Sequence, residues 1–385
     1  MGLFRLPPAP PKADLNLDMF LSGKATEEHQ RRVRRVLAPE WFPQSGVQLT
    51  WPHEGTDWNY MLQEVTDCYL RLAYEIATRE TLLIVDPDVA SLKSLLQQKL
   101  PQRATDNIIY AQCQTNDTWA RDHGFLTVIA PYGAELCDFR FNGWGGKFEA
   151  TLDNAINRKL YEEKMVKGRY ADSLDFELEG GGIESDGNGT ILTTAQCLLN
   201  PNRGHSDREL VEKKLYETLG ADRVLWLEHG YLAGDDTDSH VDTLARFCNE
   251  DTIAYTGCAD PANEHYEELS LMEKELKNFR TIDGNCYNLI KLPLPDAVFD
   301  EEGERLPATY ANFLIMNTAV LMPSYRQPEK DEAAKRALQQ AFPKLDIVGV
   351  DCSALIKQHG SLHCATMQYP KSVICASRAC KAVKS

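Results

Sequence analysis

The sequence predicts an α/β fold organised as one large unit, and three observations favour it. The chain has 385 residues, 43% of them apolar and 25% charged, which are ordinary proportions for a globular protein with a large core. Strand-like runs rich in β-branched residues alternate with amphipathic helical patterns. No Gly/Ser-rich linker divides the chain after its first forty residues, which favours one large unit over several separate domains.

The strand-like runs are bounded by turn residues. They are TLLIVD (81–86), NIIYAQC (107–113), FLTVIA (125–130), DTIAYTGC (251–258), ANFLIMNTAVLMPSY (311–325) and LDIVGVD (345–351). Amphipathic patterns predict helices over residues 59–80, 206–220, 262–279 and 329–342. Ser206 and Gly220 mark the N-cap and the C-cap of the second helix. The rhythm suggests a repeated strand–helix–strand unit, although the sequence shows no self-similarity that can be counted.

The first forty residues differ from the rest. Residues 1–40 are proline-rich and then basic (QRRVRRVL), and we expect them to form an N-terminal arm or peripheral helix, with residues 41–385 as a single catalytic domain. The N-terminus lacks the apolar segment and cleavage site of a secretory signal peptide. No run approaches the roughly 18 consecutive apolar residues that a membrane helix needs. We therefore expect a cytoplasmic protein.

The net charge of −16 argues against nucleic acid or an anionic membrane as a partner, because both would need clustered Lys and Arg. An acidic surface attracts cations, so a small cationic substrate fits this composition. The chain has eleven cysteines and no CxxC pair. This pattern predicts reduced, mostly buried thiols and neither a disulfide framework nor a zinc ribbon.

Polar and charged residues concentrate in segments beside the predicted strands, where functional groups commonly lie. These segments are NDTWARDHG (116–124), ELEGGGIESDGNGT (177–190), GDDTDSHVDTLARF (234–247) and HGSLHCATMQ (359–368). In the first, Asp122 can accept paired hydrogen bonds from a planar cation, and Trp119 can supply an aromatic wall that favours the same cation. Taken alone, the segment favours an Arg121–Asp122 surface turn, because surface ion pairs are common.

In the second segment, strand alternation puts Glu177 and Glu179 on one face, and three glycines follow that permit close approach of the backbone to a ligand. The phosphate-loop pattern GxxxxGK[ST] is absent. The run SDGNGT predicts a hairpin turn. Glu179, which adjoins the glycines, is the candidate functional residue.

In the third segment, His240 and Asp242 would point to one side of an extended strand. A histidine beside a carboxylate is typical of general acid/base catalysis, and the carboxylate either orients the imidazole or binds substrate. A metal site formed by Asp235, Asp236, Asp238, His240 and Asp242 is the competing interpretation. The run lacks the Gly and the final Glu of an EF-hand and lacks HExxH spacing, so we expect no metal.

The fourth segment supplies Cys364, which becomes a nucleophile if its thiolate is stabilised and a base lies nearby. His363 precedes it, but consecutive strand residues point to opposite faces. We therefore expect His363 to be structural and His240 to be the base. Considered alone, the segment favours a buried and inert cysteine.

Taken together and in this order, the segments resemble the agmatine deiminase family of guanidine-modifying enzymes. The resemblance rests on WPHEGTDW (51–58), NDTWARDHG, FNGWGGKF (141–148), LEGGGIESDGNGTILTT (178–194), SHVD (239–242), YANFLIMN (310–317) and GSLHC (360–364). It spans residues 41 to about 370. It implies a pentein fold, an α/β propeller of five ββαβ-type units around a pseudo-fivefold axis with the active site at its centre.

The resemblance also implies roles. Cys364 would be the nucleophile and His240 the general acid/base, while Asp122, Glu179 and Asp242 would be the carboxylates around the guanidinium and the histidine. Trp119 would line the pocket. The implied reaction converts agmatine to N-carbamoylputrescine and ammonia through a covalent thiouronium, a step towards putrescine in polyamine biosynthesis, with no metal or organic cofactor.

The chain departs from the family pattern where QHGSLHC replaces GGGNIHC, GGGIE replaces GGSIH and DSHVD replaces NGHVD. These departures leave the proposed catalytic side chains in place. They bear on the shape of the pocket around the substrate tail, and so on which substrate is bound. A related peptidylarginine or free-arginine deiminase is the first alternative, and it would need a cationic or amide-donating group at the far end of the pocket. Lys147 is the only nearby candidate, whereas Asp57 would suit the terminal ammonium of agmatine.

Two further alternatives stay open. One is a polyamine- or guanidine-binding protein without catalysis, which would need neither Cys364 nor His240. The other is a metallohydrolase that uses the acidic 235–242 run. A homodimer is also left open, because the sequence does not reveal the oligomeric state.

Overall fold

A computed structural model describes residues 35–375. The strands are β1 (Val36–Leu37), β2 (Gln44–Thr50), β3 (Thr81–Asp86), β4 (Ile108–Gln112), β5 (Leu126–Ala130), β6 (Gly133–Arg140), β7 (Arg169–Glu177), β8 (Ile183–Ser185), β9 (Thr190–Thr194), β10 (Arg223–Leu227), β11 (Ala245–Asn249), β12 (Thr252–Gly257), β13 (Asn288–Pro293), β14 (Val298–Phe299), β15 (Arg305–Leu306), β16 (Leu314–Ile315), β17 (Ala319–Ser324), β18 (Asp346–Asp351) and β19 (Thr366–Pro370). The longer helices are α1 (Leu62–Ala77), α2 (Val89–Lys99), α3 (Thr151–Glu162), α4 (Arg208–Leu219), α5 (Tyr266–Asn278) and α6 (Pro328–Ala341).

Short helical segments connect these elements. The α-helical ones are Gln102–Thr105, Ala120–His123, Gly143–Gly146 and Ala195–Leu198, and the 3₁₀ ones are Asp57–Met61, Gly180–Gly182, Pro201–Arg203, Val241–Thr243 and Leu355–Gln358. None of the helices between residues 35 and 375 combines the length and the apolar character needed to cross a membrane.

One strand pattern repeats through the fold. In the sheet β11-β12-β13 the first pair is antiparallel, and the second pair is parallel and joined by the crossover helix α5. The same order holds for β5-β6-β7, β8-β9-β10 and β16-β17-β18, with α3, α4 and α6 as crossovers. The remaining unit is β19-β2-β3, whose first strand comes from the far end of the described chain.

The α/β prediction is therefore confirmed, and the repeated ββαβ-type unit is visible in the strand order. Because β19 pairs with β2, the chain returns to the sheet in which it begins. The arrangement of the units about a central axis stays a prediction.

The core explains why these segments fold as they do. On α1, residues Val65, Tyr69, Leu72 and Ile76 follow the helical repeat and are fully buried. Each such side chain contributes roughly 1.5–3 kcal/mol by leaving water. The strand β3 lies between two parallel neighbours, and its continuously apolar run Leu82–Val85 is buried.

Most of the predicted strands and helices form within a few residues of their expected bounds, but two details differ. The run 311–325 contains two antiparallel strands, β16 and β17, and not one. The N-cap of α4 is Asp207 and not Ser206, because the Asp207 carboxylate accepts hydrogen bonds from the first backbone N–H groups of the helix. Gly220 ends the helix in a left-handed conformation, as predicted.

The folded body begins earlier than residue 41. β1 pairs antiparallel with β5, and Glu40 is buried. These residues belong to the body and not to a peripheral arm. The rest of the predicted arm, residues 1–34, lies outside the described residues.

Gly220 should allow the end of helix α4 to pack against the backbone of Arg35, just before β1. Its φ is +70°, and a Cβ there would lie 2.1 Å from the backbone oxygen of Arg35. Gly303 has a similar φ of +87° with no atom within 4 Å. We expect Gly303→Ala to lower the free energy of unfolding by about 1–2 kcal/mol, the cost of a left-handed side chain, and Gly220→Ala to lower it further. Urea denaturation measures both, and equal losses would contradict the steric coupling.

Candidate active site

Residues of the site occupy equivalent places in the repeated units. Each lies in the segment just before the first strand of a sheet: Asp122 before β5, Gly181 before β8, Asp242 before β11, Asn312 before β16 and Cys364 before β19. These segments meet. The Gly181 N–H donates to Asp122 at 2.9 Å, the Asn312 amide lies 3.2 Å from the Cys364 Sγ, and that Sγ lies 3.7 Å from the Asp242 Oδ2.

Cys364 is almost completely buried. The backbone N–H groups of His363 and Cys364 both donate to the Asn312 Oδ1, at 2.8 and 3.3 Å, which fixes the turn that presents the sulfur. Burial, followed by the charges of Asp242 and Asp122, raises the pKa of the Cys364 thiol well above its usual value. The thiol is therefore protonated when no cation is nearby.

His363 lies in a turn and not in a strand, so strand alternation does not orient its side chain. Its Nδ1 lies 2.8 Å from the Asp242 Oδ2, the oxygen that also contacts Cys364. Asp242 itself is in the 3₁₀ turn Val241–Thr243 and not in an extended strand. Burial acts to raise the pKa of Asp242, but the hydrogen bond with His363 and the charges of His363, His240 and Arg246 together outweigh it and hold that pKa below the usual value.

His240 is fully buried between two carboxylates. Its Nδ1 lies 3.8 Å from the Asp122 Oδ1, and its Nε2 lies 4.0 Å from the Glu179 Oε2. A Cβ on Gly181 would come within 2.6 Å of the Nδ1, so only glycine fits there. Burial lowers the pKa of His240, but Asp122, then Cys197 and Glu179, outweigh it and raise that pKa well above the usual value. The imidazole is therefore charged and suited to donate a proton.

Glu179 and Glu177 do not share an environment, contrary to the same-face prediction. Glu177 is on the surface and pairs with Arg140 at 3.3 Å. Glu179 is fully buried, and both of its oxygens accept from the Arg203 Nε at 3.0 and 2.8 Å. Arg203 also donates to Asp238 at 2.7 Å, which ties the third segment to the second.

Asp122 accepts hydrogen bonds at both oxygens, from the Gly181 N–H and from the Trp144 Nε1 at 3.0 Å. Trp144 has a φ of +55°, a strained conformation for a non-glycine residue that directs its ring to this carboxylate. Arg121 is also buried and contacts other partners, Glu40 at 4.0 Å among them. The alternative of an Arg121–Asp122 surface turn is therefore wrong.

A cavity of about 280 Å³ opens beside the sulfur. It is lined by Asp57, Tyr60, Asp117, Trp119, Asp122, Trp144, Phe148, Asp236, Thr237, Lys357, Gln358, His359, Gly360 and Cys364. A Cβ on Gly360 would lie 2.2 Å from the Trp119 ring, so glycine lets the ring form one wall. Lys147 is not the only nearby cation, because Lys357 lines the cavity, while the Lys147 Nζ bonds the Asp236 carbonyl and Asp238.

The described residues offer two groups that could hold a metal ion. They are Glu179, Cys197 and His240, and Glu40, Glu184 and His363. In each group an arginine already bonds a carboxylate, Arg203 in the first and Arg246 in the second. A metal would have to displace these cations, so neither group is a ready cation site.

Sequence reasoning missed several members of the site. Asn312 lies within YANFLIMN, and Lys357 lies just before HGSLHC, but neither belongs to a pattern that assigns a role. Arg203 and Arg246 follow no motif at all. Their only signal is that buried carboxylates need cationic partners, and this cannot be applied until burial is known.

The arrangement combines a protonated thiol, a charged imidazole and buried carboxylates beside a cavity that suits a planar cation. The profile of the Porphyromonas-type peptidyl-arginine deiminase family matches residues 36–370. The agmatine deiminase of Pseudomonas syringae pv. tomato is 32% identical over 360 residues, which cover 87% of this chain and 95% of the relative.

Two solved structures are similar throughout. One from Porphyromonas gingivalis, named "Putative Arginine Deiminase", is 48% identical with a TM-score of 0.83, and the match covers 89% of this chain and 100% of that chain. A C. jejuni agmatine deiminase variant with substrate bound is 38% identical with a TM-score of 0.80, covering 88% and 97%. Fold and sequence thus define an α/β deiminase. The chain belongs to the Porphyromonas-type peptidyl-arginine deiminase family.

The reactivity of Cys364 should report its acidic surroundings. Below the pKa of a thiol, the thiolate fraction rises about tenfold for each pH unit. We expect iodoacetamide to alkylate Cys364 far more slowly at pH 7 than the exposed Cys286. Asp122→Asn should accelerate alkylation of Cys364 several-fold, because it removes a charge that raises the pKa of the thiol. Peptide mass spectrometry measures both sites.

Asp117→Asn serves as the control for this alkylation, because Asp117 lines the cavity but is not among the groups that raise the pKa of Cys364. An equal acceleration in both variants would mean that access and not charge limits the reaction.

Proposed function

We propose that this chain is an agmatine deiminase, which hydrolyses agmatine to N-carbamoylputrescine and ammonia through a covalent thiouronium on Cys364. The observation that carries the proposal is a thiol placed beside buried carboxylates at a cavity of about 280 Å³. A guanidinium is planar and carries a fork of N–H donors, so carboxylates can hold it by paired hydrogen bonds. The agmatine deiminase names of the similar proteins support the same substrate.

The bound cation activates the nucleophile. Burial, followed by the charges of Asp242 and Asp122, raises the pKa of the Cys364 thiol, and a guanidinium between the carboxylates and the sulfur offsets both charges. The thiolate is then favoured at neutral pH. Positioning of the guanidinium carbon in line with the sulfur supplies a further large part of the rate.

The chemical steps use Cys364 and His240. The thiol loses its proton to solvent as the cation binds, and the thiolate attacks the guanidinium carbon with formation of a C–S bond. The tetrahedral adduct then collapses with cleavage of the C–N bond. His240 donates its proton to the departing ammonia. His240 then accepts a proton from a water that attacks the thiouronium carbon. The C–S bond breaks, the thiolate is regenerated, and the ureido product leaves.

Acidic groups at the cavity favour agmatine over arginine. Asp57, Asp117 and Asp236 line it, while the one lining lysine among the described residues, Lys357, lies 3.8 Å from Glu64. Burial, followed by Asp153, raises the pKa of Asp117 to about 7, and a nearby ammonium would favour its ionised form. Asp57 is the partner that we propose for this ammonium.

Arginine is the second candidate substrate, because Lys357 could meet an α-carboxylate if it left Glu64. We also infer a place in putrescine synthesis and a reducing, cytoplasmic compartment, which the free cysteines of the described region support. A homodimer stays a prediction that light scattering can measure.

Removal of the sulfur should separate chemistry from binding. We expect Cys364→Ala to lower ammonia release from agmatine at least 1,000-fold, because the covalent step is lost, and to leave agmatine binding measurable by calorimetry. Cys286→Ala, which removes an exposed cysteine, is the matched control and should keep full turnover. Turnover by Cys364→Ala would refute the covalent mechanism. Loss of activity with a chelator would instead favour a metallohydrolase, and binding without turnover by the unaltered protein would favour a non-catalytic binder.

The proposed contact between Asp57 and the terminal ammonium of agmatine can be tested by removing the charge of Asp57. We expect kcat/KM for agmatine to exceed that for arginine, and Asp57→Asn to raise KM for agmatine about tenfold with little change in kcat, because the contact is the same in ground and transition states. Asp67→Asn, on an exposed turn of α1, is the control. A preference for arginine, with Asp57→Asn improving it, would overturn the agmatine assignment.

A further inference from the structure

A second cluster of charges lies behind the nucleophile. Arg246 is fully buried between two carboxylates: its Nη2 lies 2.5 Å from the Glu40 Oε2, and its Nε bonds Glu184. Its Nη1 donates to the carbonyls of Ala311 and Phe313, at 3.1 and 2.6 Å. The guanidinium thus anchors the segment before β2, the strand β8 and the segment that carries Asn312.

The two carboxylates are not equivalent. Glu184 accepts hydrogen bonds from Arg246 and from the Phe247 N–H at 3.0 Å. Glu40 also contacts His363, whose Nε2 lies 2.8 Å from the Glu40 Oε2. Only Glu40 therefore touches both the arginine and the histidine that adjoins the nucleophile.

The contacts continue from Glu40 to the sulfur. His363 bridges Glu40 and Asp242 with 2.8 Å contacts at its two ring nitrogens, and the same Asp242 oxygen lies 3.7 Å from the Cys364 Sγ. The side chains that make these contacts, Glu40, His363, Asp242 and Cys364, are all nine-tenths buried or more, so water does not compete for the contacts.

We propose that Glu40 is a positioning residue for the nucleophile and acts through His363 and Asp242. With Glu40 present, the His363 ring contacts a carboxylate at each nitrogen, which fixes the ring and aims the Asp242 carboxylate at the site. Without the Glu40 carboxylate, the Nε2 faces only Arg246, whose Nη2 lies 2.9 Å away. The ring then loses one of its two carboxylate partners, and the orientation of Asp242 is held from one side only. The inference rests on the proposed deiminase function.

The charged groups around His363 all belong to this cluster or to the site. Glu40, Glu184 and Asp242 are the carboxylates, and Arg246 and Arg121 are the cations, with Arg121 at 4.0 Å from Glu40. Burial acts to raise the pKa of Glu40, but Arg246 and His363 outweigh it and lower that pKa. Glu40 is therefore ionised at neutral pH.

The paired carboxylates provide a matched experiment. Glu40→Gln and Glu184→Gln each remove one negative charge from Arg246, and both should lower Tm. We expect Glu40→Gln to lower kcat at least tenfold with KM for agmatine changed less than twofold, and Glu184→Gln to lower kcat less than threefold. In a His363→Gln background, Glu40→Gln should cause no further loss of kcat, because the contacts that link Glu40 to Asp242 through His363 are already absent. Equal losses in the two Gln variants, or additive losses in the double variant, would overturn the proposal.

Two measurements keep the outcome decisive. If the unaltered protein releases no ammonia from agmatine, the proposed function fails, and the rate of Cys364 alkylation relative to Cys286 still tests Glu40. That rate should change in Glu40→Gln and not in Glu184→Gln, and the reverse result refutes the role of Glu40. If Glu40→Gln does not fold, His363→Gln must by itself lower kcat at least tenfold, and unchanged turnover would refute the path.

Discussion

Pairing of buried carboxylates is the constraint on which this site depends. Isolated charges cannot be held in a protein interior, so each acidic group near Cys364 has partners of its own. Glu179 bonds Arg203, Asp242 bonds His363, and Asp122 accepts from Gly181 and Trp144. These partners keep the groups in place without a ligand. They leave the carboxylates of Asp122 and Asp242 close to the sulfur, where a cation would meet them.

The repeated strand order explains how such distant residues come together. The segment before the first strand of each unit contributes to the site, so one architectural position is used again and again with different side chains. Pairing of β19 with β2 brings Cys364 back to the sheet formed by the beginning of the described chain. The same closure lets Glu40 reach His363, although 323 residues separate them.

The sequence predicts most of the elements and the candidate site residues, because motif residues occupy short segments beside strongly patterned strands. A prediction from the sequence is wrong where the rule behind it assumes a backbone conformation that the chain does not adopt. Alternation separates His363 from Cys364 only on a strand, and both residues lie in a turn. Glu177 and Glu179 diverge because β7 ends at Glu177. The partners Arg203, Arg246 and Glu40 are recognised only by burial and long-range contact, which no local pattern contains.

The acidic groups around Cys364 affect both the pKa of its thiol and the attraction of a cation. Together with burial, they raise the pKa of the Cys364 thiol, so the proposed nucleophile is weak until a cation binds. In the proposed reaction the same charges attract a guanidinium, whose positive charge then offsets their contribution to the raised pKa. A neutral ureido product lacks that charge and is held less strongly. Under the proposed mechanism, one set of carboxylates therefore accounts for substrate attraction, activation of the thiol and release of product, and each effect follows from the charge of the group in the cavity.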